Sequence, residues 1–141
     1  MSQGDAEQAA EPVVHGLFRV EGTGAVLLGG HSPSSGLDHF PLQPVCPYTG
    51  ADDVVAVDLP RTGSLWYATE VTAAPPGYAG RVPYGLGVVE LDCGLRVVGR
   101  ILGDTPATIA PGTPMEVTTE LVATPEGEDR TVWAFGERRP R

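Results

Sequence analysis

Nineteen glycines and fourteen prolines are scattered through 141 residues, almost a quarter of the chain, and they leave no window for an uninterrupted helix. In a helix interior, glycine costs about 1 kcal/mol and proline about 3 kcal/mol relative to alanine. No stretch of helical length with a 3.6-residue apolar period escapes them. What remains are short runs rich in β-branched residues between turn clusters, the pattern of a small sandwich or barrel. Residues 16–20 (GLFRV) and 25–29 (AVLLG), joined by Glu21-Gly22-Thr23-Gly24, read as a hairpin. A short strand is expected over 53–59, then barrel strands over 64–72, 84–91, 95–102, 114–122 and 131–135, with a tight turn at Asp92-Cys93-Gly94. Strict alternation in the first of these puts Leu65, Tyr67, Thr69 and Val71 on one face and Trp66, Ala68 and Glu70 on the other. In the third it separates Leu95, Val97 and Ile101 from Arg96, Val98 and Arg100. Five strands with one long gap after the third follow the order of an OB-fold barrel. Pro106 and Pro111 leave that gap room for one helical turn at most.

Between Leu28 and Gly50 the chain reads LGGHSPSSGLDHFPLQPVCPYTG. This has the frame of a zinc ribbon: two knuckles, Ser32-x2-Ser35 and Cys46-x2-Thr49, ten residues apart, each followed by glycine (Gly36, Gly50). A structural ribbon places C-x2-C in both positions because two thiolates on one tight turn reach the same tetrahedral metal. Here the donors are Ser32, Ser35, Cys46 and Thr49, so the segment reads as a metal-free remnant that keeps its loop geometry. His31 and His39 lie close by and could substitute as ligands, but a lone histidine in a loop is more often polar decoration; little secondary structure is expected inside the ribbon.

The segments PRTGSLWYATEV, PPGYAGRVPYGLGVVELDCGLRVVGRILGD, IAPGTPMEV and VWAFGERR follow that frame in order. With Phe40-Pro41 ahead of the second knuckle, they resemble the acyl-CoA-associated OB-fold family catalogued as domain of unknown function 35, over residues 16–136. The resemblance implies an all-β protein, a hairpin and rubredoxin-like ribbon followed by a five-stranded OB-fold barrel. It also implies a companion subunit of thiolase-like enzymes: sterol-carrier-protein-type thiolases, side-chain-cleaving aldolases of steroid catabolism, or acyltransferases of related fold. In such assemblies the larger partner carries the catalytic residues. The family's ribbon ligands fall on Ser32, Ser35, Cys46 and Thr49, and no catalytic residue carries over. The expected division is a disordered tail over 1–15, hairpin and degenerate ribbon over 16–59, barrel over 60–136 and a flexible basic tail over 137–141.

Charge narrows the function classes. The formal net charge is −9, and all nine basic residues are arginine. Such a chain repels phosphate backbones at long range, which argues against oligonucleotide binding, the frequent use of an OB fold. A local arginine fork still suits a compact phosphate. Tyr78 and Arg81, in the proline-stiffened loop over 73–83, and Arg96 and Arg100, on one strand face, are therefore the candidates for acyl-CoA or partner contacts. No nucleophile–base pair, P-loop or dinucleotide fingerprint is present. Cys46 and Cys93 sit in no sequence context that lowers a thiol pKa, and read as reduced thiols in a cytoplasmic protein. No apolar run approaches the ~20 residues of a membrane helix. The expectation is a non-catalytic subunit of a thiolase-like acyl-CoA-processing complex, with no cofactor of its own and acyl-CoA as a shared ligand. A stand-alone binding module for acyl-CoA or another lipid thioester is the alternative, and a nucleic-acid-binding OB domain the third reading.

Overall fold

The computed structural model describes residues 17–22 and 24–138; the expected N-terminal tail, His15 and most of the basic tail lie outside these. The described residues form nine strands and one 3-10 turn, Pro106–Thr108, in the gap where the prolines allow only one turn. β1 (Phe18–Glu21) and β2 (Gly24–Ser32) make the expected hairpin, with Glu21 opposite Gly24. β2 runs on to Ser32, far enough to pair β3 (Leu37–His39) on one edge and β4 (Val55–Asp58) on the other. The ribbon therefore holds more regular structure than its sequence suggests. The tight turn from Ser32 to Gly36 returns the chain directly onto the strand it has just left, and three residues pair there.

β5 (Thr62–Val71), β6 (Tyr84–Leu91), β7 (Arg96–Ile101), β8 (Pro114–Ala123) and β9 (Asp129–Glu137) form the barrel. β6 lies between β5 and β7, and β8 between β9 and β5, all antiparallel; one parallel bridge, Ile101 to Phe135, closes the ring. That connectivity is the OB fold.

Along β5 the simple alternation fails. Leu65 faces Val89 and Tyr67 faces Val88, so Trp66 is an extra residue in a β-bulge. Beyond it the two faces exchange: Ala68 packs against the core, while Trp66 and Tyr67 are both exposed. A bulge bends and twists its strand, which is how β5 follows the barrel wall. Gly87 lies where β6 runs tight against β5, and a Cβ there would collide with the Tyr67 carbonyl oxygen. β7 keeps the expected pattern, with Val97 and Ile101 buried and Arg96 and Val98 exposed.

One core serves both halves. Phe18, Ala25, Leu27 and Leu59, from the hairpin and its return, join Leu65, Val89, Leu91, Val97, Ile101, Met115, Val117 and Phe135 of the barrel. Each large side chain in it contributes about 1.5–3 kcal/mol by leaving water. From the ribbon, Phe40 and Val57 pack against this core; Phe40 meets Trp133 edge-on at 5.5 Å, and Trp133 meets Phe135 in the same way. No helix among the described residues is long and apolar enough to cross a membrane.

Candidate functional site

The ribbon knuckles face each other. In the first, the backbone N–H groups of Ser35 and Gly36 both donate to the Ser32 carbonyl; in the second, Gly50 N–H donates to the Cys46 carbonyl. Gly36 and Gly50 both adopt positive φ, 74° and 77°, which glycine accepts without steric cost. Ser35 Oγ lies 3.9 Å from Cys46 Sγ. Two sulfurs of a tetrahedral zinc site with 2.3 Å bonds stand about 3.8 Å apart, so the two loops retain ribbon spacing.

The chemistry of the donors does not suit zinc. One thiol and three hydroxyls make a poor set at neutral pH, and one hydroxyl is already committed. Ser32 Oγ, fully buried, donates to Asp53 Oδ1 at 2.6 Å, and the Ser34 N–H donates to Asp53 Oδ2 at 2.8 Å. The Asp53 carboxylate thus ties the first knuckle to the chain leaving the second, a connection a shared metal makes in an intact ribbon. The Ser32 hydroxyl, followed by the Ser34 backbone and side chain, holds Asp53 down at about 2, against an ordinary value of 3.8. No group of three or more His, Cys, Asp or Glu residues among those described is arranged to hold a metal ion.

Cys46 departs from its sequence expectation. Its thiol is lowered from 9.0 to about 7, chiefly by the Thr49 hydroxyl, with the Tyr48 and Thr49 N–H groups and the Ser35 hydroxyl acting in the same direction against desolvation. The context that stabilises the thiolate is the knuckle turn itself, whose amides converge on Sγ as they do on a metal-bound thiolate. With only 1% of its surface exposed, Cys46 orders this turn and does not present a nucleophile. Both cysteines are free. Cys93 lies on the β6–β7 turn, where desolvation, reinforced by the nearby Asp38 carboxylate, raises its thiol. Asp38 also accepts from His31 Nδ1 at 2.7 Å. Buried His39 accepts the Gln43 N–H on Nε2, and its Nδ1 has no partner.

A second locus collects three of the four proposed contact residues. Tyr78, Arg81 and Arg100 line a groove of about 530 Å³ between the 73–83 loop, the end of β7 and the β8–β9 hairpin. Tyr78 packs against Tyr84 with ring centroids 5.1 Å apart, and its hydroxyl donates to the Arg81 carbonyl. Arg100 stacks over Tyr84 at 4.6 Å, and its Nε donates to Glu120 at 2.7 Å. Two arginines meet three carboxylates in this lining, Asp104, Glu120 and Asp129. Of the two arginines, Arg81 is exposed and Arg100 half-buried. Arg96 stands outside the groove, stacked 3.5 Å above Trp66 and bonded to Glu90. Sequence reasoning missed Tyr84, Glu120 and Asp53. The two carboxylates find their partners about twenty residues away along the chain, and no local motif records such a meeting.

A third feature is apolar. Leu37, Leu42, Val45 and Tyr48 expose 41–55% of their surface. Leu37 follows the first knuckle, while Val45 and Tyr48 flank Cys46. The Ser35–Cys46 contact brings those three into one neighbourhood, with Leu42 on the segment between the knuckles.

Comparison with known proteins agrees with the topology. Residues 56–120 match the family model described as ChsH2, C-terminal OB-fold domain. A solved structure described as the Ltp2–ChsH2(DUF35) aldolase superposes with a TM-score of 0.56 at 27% identity, covering 79% of this chain and 84% of that one. A probable enoyl-CoA hydratase alpha subunit from Thermomonospora curvata is 37% identical over 86 residues, 61% of this chain and 26% of that protein. The chain therefore spans about a quarter of the length of that relative.

Proposed function

Because this chain belongs to the OB-fold family catalogued as domain of unknown function 35, we propose that it is a non-catalytic companion subunit of a thiolase-like acyl-CoA-processing enzyme. Its role is to stabilise the catalytic partner and help shape the path of the acyl thioester. The observation that carries this reading is the exposed apolar surface at the ribbon end, Leu37, Leu42, Val45 and Tyr48. Exposed apolar patches of this kind mark interaction sites, and the knuckles beneath are held by hydrogen bonds that keep the patch in one shape. The ribbon needs no zinc in this reading, since Asp53 supplies the connection between knuckles. The aldolase described for the structural neighbour and the enoyl-CoA hydratase subunit named for the relative support a partner among enzymes of that kind, acting on an acyl-CoA.

Pull-down of the tagged chain from its native host at low salt, with mass-spectrometric identification, tests the proposal. A thiolase-like or aldolase-like enzyme in stoichiometric amount is the expected result. A folded chain recovered alone removes this reading in favour of a stand-alone acyl-CoA module. The Tyr78–Arg81–Arg100 groove supports that alternative, which predicts acyl-CoA binding weakened by Arg100→Ala.

A further inference from the structure

We infer that the ribbon end docks on a partner surface that is apolar at its centre and rimmed by arginine or lysine; the inference rests on the companion-subunit reading above. The sequence contains no arginine or lysine between Arg19 and Arg61, whereas Glu21, Asp38, Asp52, Asp53 and Asp58 all fall in that interval. Asp58 is answered by Arg19 at 2.8 Å, and Glu21 by Arg19 at 2.7 Å. Of the other three acids, Asp38 is paired with His31 Nδ1 at 2.7 Å, Asp53 accepts from Ser32 and Ser34, and Asp52 is exposed beside the second knuckle. The segment that exposes Leu37, Leu42, Val45 and Tyr48 thus carries acids, Asp52 exposed among them, and no arginine or lysine of its own.

The barrel offers a competing surface, and its charges decide between the two. On the outer face Tyr67, Val88 and Val98 stand in one row across β5, β6 and β7, with Tyr67 55% and Val98 62% exposed. Its flanking cations are already answered from within, Arg96 by Glu90 and Trp66, and Arg100 by Glu120 and Tyr84. A face whose ion pairs close on themselves neither steers nor selects a charged partner. The ribbon end, with Asp52 exposed and no arginine or lysine between Arg19 and Arg61, does both, because complementary potentials raise association rates and reject like-charged surfaces. Like-charged knuckles also oppose pairing of two copies through this patch.

The test uses the full chain and the purified enzyme recovered in the pull-down, with binding kinetics measured at low and physiological salt. Tyr48→Asp should weaken binding by about tenfold or more, since interface cores are depleted in charge and aromatic anchors dominate affinity. Asp52→Arg should slow association with little change in dissociation, and the wild-type association rate should fall as salt rises. Val98→Asp should bind like wild type. Circular dichroism and thermal melts establish that each variant is folded; these positions are exposed, and Leu42→Asp replaces any that is not. Unchanged binding by Tyr48→Asp, a salt-independent association rate, or loss of binding only in Val98→Asp overturns the inference while the companion reading stands. A dimer of the chain that Tyr48→Asp dissolves also overturns it, by identifying a second copy as the occupant. Failure of the wild-type chain to retain any acyl-CoA enzyme removes both readings together.

Discussion

The barrel and the ribbon are built on opposite physical principles within one short chain. The barrel is held by area: Leu65, Val89, Met115, Phe135 and their neighbours are removed from water, and little polar chemistry lies among them. In the ribbon the buried side chains are Ser32, His39 and Cys46, and hydrogen bonds between knuckles do the work that apolar volume does elsewhere. Area tolerates exchange of one hydrophobe for another of like size, whereas a hydrogen-bonded knuckle depends on particular atoms. A segment without a full set of metal ligands can thus keep its shape if one carboxylate makes the connection, as Asp53 does.

The comparison is broken most forcefully from the barrel side. Phe135→Ala empties the centre of the shared core and should cost about 3–5 kcal/mol, read as a lower denaturant midpoint of the whole chain; a transition confined to the barrel would show that the hairpin does not share its core. Next in size, the triple variant Ser32→Cys, Ser35→Cys, Thr49→Cys should restore a four-thiolate site. It is expected to bind one zinc per chain by elemental analysis and to melt at higher temperature with metal than with chelator. No metal uptake would mean that the knuckles have lost ribbon geometry despite the 3.9 Å contact.

Asp53→Asn should loosen the ribbon and leave the barrel intact, visible as faster amide exchange over residues 32–36 with an unchanged exchange floor in β6. The pH dependence has a definite sign. A carboxyl held at about 2 against an ordinary 3.8 stabilises the folded ribbon above pH 4, and that contribution is lost as pH falls through about 2. Asp53→Asn should abolish this part of the acid transition. The smallest effect concerns Cys46. Thr49→Val removes the leading donor to the thiolate, so its pKa should climb from about 7 back towards 9.0, measured by thiolate ultraviolet absorbance against pH. An unchanged value would assign the lowering to the knuckle amides and the Ser35 hydroxyl.

Much of the barrel was open to reading from the chain alone, because alternation is a local property. β6 and β7 follow their residue pattern, and the glycine and proline spacing by itself excludes helices. β5 shows where that stops: nothing in SLWYATEV marks Trp66 as the extra residue, and only its pairing with a curved neighbour turns Ala68 inward. Sequence likewise puts Arg96 and Arg100 on one face, yet folding sends one to Trp66 and Glu90 and the other into the Tyr84–Glu120 groove.

By itself the sequence determined an all-β OB barrel behind a frame whose four ribbon-ligand positions hold Ser32, Ser35, Cys46 and Thr49, and a net charge of −9. Those properties depend on residue type and short-range period, which any window of the chain displays. The tertiary structure alone decided that Asp53 bridges the knuckle, that Thr49 and the turn amides stabilise the Cys46 thiolate, and that four exposed hydrophobes gather at the ribbon end. Each of these joins residues that chain distance separates, and electrostatics and hydrogen bonding act through space at a few ångströms, a distance that only the fold sets.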